Sequence, residues 1–368
     1  MANIYSLKSG LASDLTIWSG GVVPTAGDRV LIMASHVVEL DGTYEWGDDS
    51  TATITINGVS TTKSITVAGT LSHSRTVSSS LACRGHFYLL NTGTHDIGTA
   101  ASPILLPVKA TILLNQSAVM ANNKYGYEGQ ARCKFSAYGS PKVRAAKLTE
   151  AVIAGANSIK VSQAEGWQPG DSIVLSQTDV TATRRQDLAV IAPGYSPGSL
   201  TIPLVANLAF SHSLACVVGN LTSNVTIKSS NPSFESGSFH LLGDNTSVAN
   251  SRNMRYAAFE DLGGVYPAYG MSFRFSANYS STNWTQPYGE LKDLAIVRRR
   301  PRGAIVQTEN CSAATPIHFV DCIFAHVNPT EAYSADHNVA AHTRFTRCYH
   351  FGVTMSFGGA GDMEYIDC

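Results

Sequence analysis

The chain has 368 residues, a formal net charge of −1 and 44% hydrophobic residues. That is enough for a large core or two domains, and too balanced for a field that recruits nucleic acid or an anionic membrane surface. Only 14% of residues are charged while glycines number 31, which favours strands and tight turns. No run of about 18 apolar residues occurs, so membrane insertion by a helix is not expected.

From the N-terminus, Met1 to Lys8 lack the basic and apolar stretches of a secretory signal, and export by that route is not expected. Trp18 and Pro24 then precede Gly27-Asp28 and the alternating Val30-Leu-Ile32. The same order returns as Trp167-Gln-Pro169-Gly170-Asp171 before Ile173-Val-Leu175. A turn so written restarts a strand at a fixed bend, as strands coiled around an axis require. Further short strands are expected at 53–56, 64–67, 110–114, 158–161, 200–202 and 224–227, mostly bounded by Gly, Asn or Ser. Only 141–151 reads as a place for a turn of helix.

Towards the C-terminus one phrase recurs: Ile317-His-Phe319-Val-Asp321-Cys322, Thr343-Arg-Phe345-Thr-Arg347-Cys348 and Met363-Glu-Tyr365-Ile-Asp367-Cys368. Weaker copies stand at Met254-Arg-Tyr256 and Leu291-Lys-Asp293-Leu294. One strand phrase per 20 to 26 residues indicates stacked coils, with like residues above like. Phe319, Phe345 and Tyr365 should form an aromatic column. In an unbroken pleat the cysteine three places on would face the other way, so the chain must bend at Asp321, Arg347 and Asp367. The cysteines then line a narrow interior; the seven in the chain, widely spaced and without a Cys-x-x-Cys pair, read as reduced and buried rather than as disulfides or a zinc site. The last phrase closes on Cys368, so a further segment or a partner is expected to cover that coil.

With both Gly-Asp turns and the coils in view, the first part of the chain resembles the G8 domain. The matching residues are Trp18, Pro24, Gly27-Asp28, Val37 to Asp41, Ile65 to Leu71, Tyr88 to Gly93, Asp96 to Thr99, Pro103 and Ala110 to Ile112. Proteins of the fibrocystin and hyaluronan-degrading cell-surface group continue from this module into a right-handed parallel β-helix. Gly166 to Val174 resembles that continuation, and Gly219 to Ile227 the first full coil. The resemblance therefore implies an all-β chain: a G8-like β-rich region over 1–150, then a right-handed parallel β-helix over 151–368. Where the hyaluronan-degrading relatives have a histidine-bearing run, this chain has Tyr266-Pro267-Ala-Tyr269, so the resemblance does not bring their activity with it.

A G8-like adhesive module without an export signal points to a virion protein made in the host cytoplasm: a phage tail or fibre component with other tail proteins as partners. By analogy with phage fibres a homotrimer is expected, and the external contact would be a host-surface glycan. The rival readings are a tailspike-type polysaccharide depolymerase and a secreted glycan-binding protein. For the depolymerase the candidate acids are Asp321, Asp336 and Asp362, because glycosidic cleavage needs paired carboxylates; the structural alternative is a solvated carboxylate at an outward bend. For glycan contact the candidates are Tyr269 and Trp284, whose rings can stack on sugars, and Arg298, Arg299 and Arg300, whose guanidinium groups suit anions. The alternatives are rings that pin a loop and a solvated basic turn. The late histidines, His318, His326, His337, His342 and His350, show no ligand spacing, so no metal is expected, and no cofactor motif is present. Gly358-Gly359-Ala-Gly361 precedes a strand-like segment and not a helix, which excludes a phosphate loop.

Overall fold

The computed structural model describes residues 2–48, 54–56, 59–61, 63–115, 126–178, 186–230, 239–243, 247–262, 269–275, 287–298, 304–309, 316–327, 335–340, 343–356 and 363–368. At 54, 56, 59–61, 115, 269–275, 304–309, 335–340, 353–356 and 363 the backbone alone is described. Trp284, Arg299, Arg300, His342 and Asp362 lie outside the described residues.

Short apolar-alternating segments wind into a ladder with three parallel sheets. The first holds ten strands, from Asn3–Tyr5 to Val353–Ser356, and the second ten, from Gly10–Leu11 to Met363–Ile366. The third holds eight, from Thr43–Trp46 to Tyr349–Phe351. The all-β, parallel β-helix expectation holds, and the ladder is already present in the first strands: Asn3 to Tyr5 pair in register with Arg29 to Leu31. Among the described residues the only helical turns are two 3₁₀ turns, Leu15–Ile17 and Ser19–Gly21. The helical turn expected within 141–151 is instead a strand, Ala145–Lys147. Its small apolar alternation fits either period, and pairing with Val217–Asn220 decides it.

Stacking like on like produces the interior columns. On the first sheet Phe87, Tyr127 and Phe239 stack with ring centroids 4.5 and 4.7 Å apart. On the second sheet the expected aromatic column is present: Phe319 and Phe345 at 5.5 Å, Phe345 and Tyr365 at 5.1 Å, all nearly parallel.

The bend inferred between aromatic and cysteine is also present. Tyr256, Asp293, Asp321, Arg347 and Asp367, each directly after a second-sheet strand, have φ of 50 to 55°. One left-handed residue breaks the pleat, so the side chains on both sides of it face inward. Cys322 and Cys348 are fully buried there. Each thiol donates along the stack: Cys322 to Leu291 O at 3.6 Å, Cys348 to Phe319 O at 3.5 Å, Cys368 to Phe345 O at 3.4 Å. The thiols thus stitch each turn to the one before it.

Between Lys134–Tyr138 on the second sheet and Val225–Ser229 on the third, the chain leaves the ladder and builds an antiparallel module. Its sheet runs Ala145–Lys147, Val217–Asn220, Ser172–Leu175, Asp187–Val190, beside a hairpin of Ser158–Lys160 with Thr201–Pro203. It has its own core around Trp167, Ile173, Ile191, Ile202 and Val218. The ladder register is untouched, since Ala110 to Leu114 pair directly with Val225 to Ser229.

The second Gly-Asp turn lies in this module and not on a ladder turn, which corrects its reading as the continuation into the coils. Locally the two turns match. Gly27 and Gly170 have φ of 90° and 85°, Asp28 caps Thr25 N at 3.0 Å, and Asp171 caps Gln168 N at 2.9 Å. Both preceding tryptophans are buried, and their indoles donate to the carbonyls of Ala12 and Val143. A turn specifies its own four residues; the partner strand comes from elsewhere.

Candidate functional site

The outward face of the third sheet changes character along its length. In the earlier turns it presents half-exposed polar groups, Thr111, Thr226 and Lys228 among them. In the later turns it presents Ala258, Ala295, Val297, Ile323 and Ala325, all buried against Val174 and Leu221 of the module. Small residues there let the module lie close to the ladder.

Arg144 fastens that contact. Its buried guanidinium donates to the carbonyls of Asp293 at 2.7 Å, Thr222 at 2.7 Å, Ala257 at 3.3 Å and Asn220 at 3.4 Å. Beside it Lys142 pairs with Asp171 at 2.5 Å, and Asp171 also accepts from Asn220 Nδ2 at 2.8 Å. Burial pushes the Lys142 ammonium down to about 8, against the pull of Asp171.

Where the polar half of the sheet meets the module there is a cleft of about 520 Å³. The ladder lines it with Lys109, Thr111, Thr226 and the corner residues Ser223 and Asn224; the module lines it with Lys142, Arg144 and the turn at 168–171. Thr111 and Thr226 are register partners on adjacent rungs, so their hydroxyls repeat at the strand spacing of about 4.8 Å. The cleft presents hydroxyls and cations on a rigid floor, a combination suited to holding a polyhydroxylated ligand.

A smaller crevice of about 210 Å³ lies at the corner between second and third sheets, against Pro141, Lys142, Val143 and Glu165. It gathers Arg255, Tyr256, Lys292, Asp293 and Asp321. Here Asp321, one of the expected acids, accepts two hydrogen bonds from Arg347 at 2.7 and 2.8 Å and lies 3.6 Å from Lys292. Burial pushes its carboxyl up, but Arg347 and Lys292 outweigh it and hold it below the ordinary range. Asp293, one turn earlier, is pushed up by burial in spite of Arg255 at 2.9 Å. Asp321→Asn should leave thermal stability close to that of the parent, because asparagine tolerates the left-handed corner and half-exposed ion pairs contribute little; a melting curve checks it.

Of the other expected residues, Asp336 lies on the first-sheet strand Ala335–Ala340, on a different face of the ladder from Asp321. Tyr269 begins the first-sheet strand Tyr269–Phe275, in register with Ala304. Arg298 is buried at the end of a third-sheet strand and donates to Leu262 O at 3.4 Å, so it is placed to hold backbone and not a surface anion. Arg255 and Arg344 on second-sheet strands and Arg347 at a corner are more accessible, each paired to a carboxylate.

Sequence reading missed Lys109, Lys142 and Arg144, isolated cations in no motif. Asp171 and Asp293 carried a signal: the first sits in the twin turn, the second in a weaker copy of the corner phrase.

No family model and no curated protein matches the chain. Among solved structures it is similar to the gp54 tailspike of Acinetobacter baumannii bacteriophage AP22, in complex with A. baumannii capsular saccharide, at 14% identity and TM-score 0.24 over 78% of this chain and 48% of that one. The Pseudomonas phage phi297 tailspike gp61 gives 10% and 0.24 over 78% and 40%. The tailspike gp49 of Pseudomonas phage LKA1 gives 12% and 0.22 over 79% and 54%. The chain thus spans about half the length of these tailspikes. The parallel ladder is established by this chain's own strand pairing.

Proposed function

We propose that this chain is a structural, glycan-contacting component of a phage tail, assembled with other tail proteins and with copies of itself, and that the seam cleft is where glycan is held. The observation that supports it most directly is the cleft: a polar, hydroxyl-lined recess built on a rigid parallel ladder, with rungs repeating near the length of one sugar ring. Stiffness matters because a floor already ordered loses little entropy when a flexible polysaccharide settles on it.

A second reading, a polysaccharide depolymerase, is favoured by the corner crevice. There two carboxylates one turn apart have their proton affinities moved in opposite directions, Asp293 up and Asp321 down. That division is the one an acid and a base or nucleophile need.

One experiment addresses both. The purified chain is incubated with bacterial capsular polysaccharides, the class bound by the AP22 tailspike, and both retention and oligosaccharide release are measured. Retention without release supports the adhesive reading. Release that is lost in Asp293→Asn and in Asp321→Asn supports the depolymerase. If no polysaccharide is retained or cut, glycan contact fails for this chain.

A further inference from the structure

We infer that the seam cleft takes a carboxylate-bearing saccharide, with the Lys109 ammonium as the contact to the acid group and the Thr111 and Thr226 hydroxyls as contacts to the ring. This deepens the glycan-contact reading and rests on it.

The argument begins with charge. Among the described residues the lining includes three cations, Lys109, Lys142 and Arg144, against one carboxylate, Asp171. Asp171 is committed to Lys142, so that pair is neutral in sum. Arg144 keeps its charge but has its donors directed to backbone carbonyls, which neutralise nothing. The neighbouring carboxylate of Asp293 is itself engaged by Arg255. Lys109 is exposed, with no ion-pair partner among the described residues; its backbone is engaged, the N–H donating to Ser78 Oγ at 3.0 Å and the carbonyl accepting from Ser79 N at 2.9 Å. The cleft therefore has an uncancelled positive field that ends on one accessible ammonium. A recess walled by protein strengthens such a field relative to open water.

The kind of anion follows from the remaining groups. A nucleotide or phosphate site is usually built from bidentate guanidinium donors or a helix N-terminus. Here the only arginine of the lining is already occupied by carbonyls, and no helix end faces the cleft among the described residues. What is available is one point charge beside hydroxyls spaced by the ladder, of which that of Thr226 already donates to Ser223 O at 3.2 Å and meets a ligand as an acceptor. A sugar with one carboxylate and several hydroxyls per ring matches both.

The test compares a panel of acidic capsular polysaccharides with the same polymers after chemical reduction of their carboxyl groups, by titration calorimetry at low and moderate salt. Inorganic phosphate forms a separate arm. The expected result is binding of at least one acidic polymer, a loss of tenfold or more on carboxyl reduction, and a comparable loss in Lys109→Ala that Lys109→Arg largely restores. Lys109 is exposed, so its variants should melt with the parent, and that is measured alongside. Equal affinity for a polymer and its reduced form, or no effect of Lys109→Ala, overturns the inference while leaving glycan contact standing. Saturable phosphate binding that competes with every polymer overturns it in favour of a phosphate site. Failure of acidic and reduced polymers alike removes both this inference and the reading beneath it.

Discussion

Arg144→Met should split unfolding into two transitions, the first at markedly lower temperature than the single transition of the parent. The methionine fills much of the same volume but supplies no donor to the carbonyls of Asp293, Thr222, Ala257 and Asn220. Each buried carbonyl left without a donor costs roughly 1–3 kcal/mol, reduced where water can enter. Two of the four bonds are short and direct, so a total of at least about 3 kcal/mol is expected. The bonds to Asp293 and Ala257 cross from module to ladder, so that part of the loss falls on the contact between them. The module has its own core, so it should come off the third sheet before either part melts. Calorimetry, with hydrogen exchange at Ala258 and Ala295, checks this: an unchanged single transition means the apolar contact alone holds the module in place.

Lowering the pH from 7 towards 4 should weaken the N-terminal half of the ladder through two core histidines. His73 and His95 are fully buried in the ladder interior, with ring centroids 5.6 Å apart. His73 Nδ1 bonds Ser79 Oγ at 2.8 Å and His95 Nδ1 bonds Tyr127 OH at 2.9 Å, while neither Nε2 finds a partner among the described residues. Burial, with Arg75 nearby, pushes His73 down to about 3; burial, with His73 beside it, holds His95 well below its ordinary value.

The native chain therefore keeps both rings neutral. Above about pH 6.5 both are neutral in the unfolded chain too, and stability is complete. Below it the unfolded chain takes up protons that the native core refuses, so stability falls as pH falls, by up to about 1.4 kcal/mol per pH unit for each ring, until the native value near 3 is reached for His73. Carboxylates add their own acid dependence, so the informative quantity is a difference. His73→Leu, and His95→Phe combined with Tyr127→Phe, should each flatten the urea midpoint between pH 6.5 and 4 relative to the parent. A parallel pH profile in both variants would mean that the rings are hydrated or protonated without cost.

The corner chemistry was legible from the chain because it is local and repeated. Phe319 to Cys322 and Phe345 to Cys348 cannot both face inward without a break in the pleat, and the left-handed φ of Asp321 and Arg347 provides it. The aromatic column follows from the same repeat. The ladder's extent was less legible. The turns from Asn3 to Tyr138 vary in length and lack the cysteine phrase, and parallel pairing joins residues far apart in sequence that leave no mark on each other's local pattern. The module escaped for a related reason. Its Gly170-Asp171 turn is built like Gly27-Asp28, yet the first launches an antiparallel strand and the second a parallel one.

The candidate site was less legible still. Asp321 was singled out for its type, and the structure places it in a crevice with Asp293 and Glu165, but as a member of an ion-pair network. Arg298 was singled out as part of a basic run and proves to be buried, as the last residue of the third-sheet strand Ala295–Arg298. Lys109 and Thr226 are 117 positions apart by number and share the cleft only through the Ala110–Val225 register, which depends on what lies between them.

What lies between them also carries an entropic cost. At later corners the second sheet passes to the third through a single left-handed residue, whereas here residues 139–224 intervene. Closing so long a flexible loop costs on the order of 4 kcal/mol of chain entropy, against almost nothing at an ordinary corner. The folded module offsets that cost, since its strands Ala145–Lys147 and Val217–Asn220 pair side by side and bring the two ends of the detour together. The chain beyond Val225 then meets a ladder edge already within reach. The detour is thus the one joint at which the earlier and later rungs of the third sheet, Ala110 to Leu114 and Val225 to Ser229, depend on a separately folded unit to hold them in register.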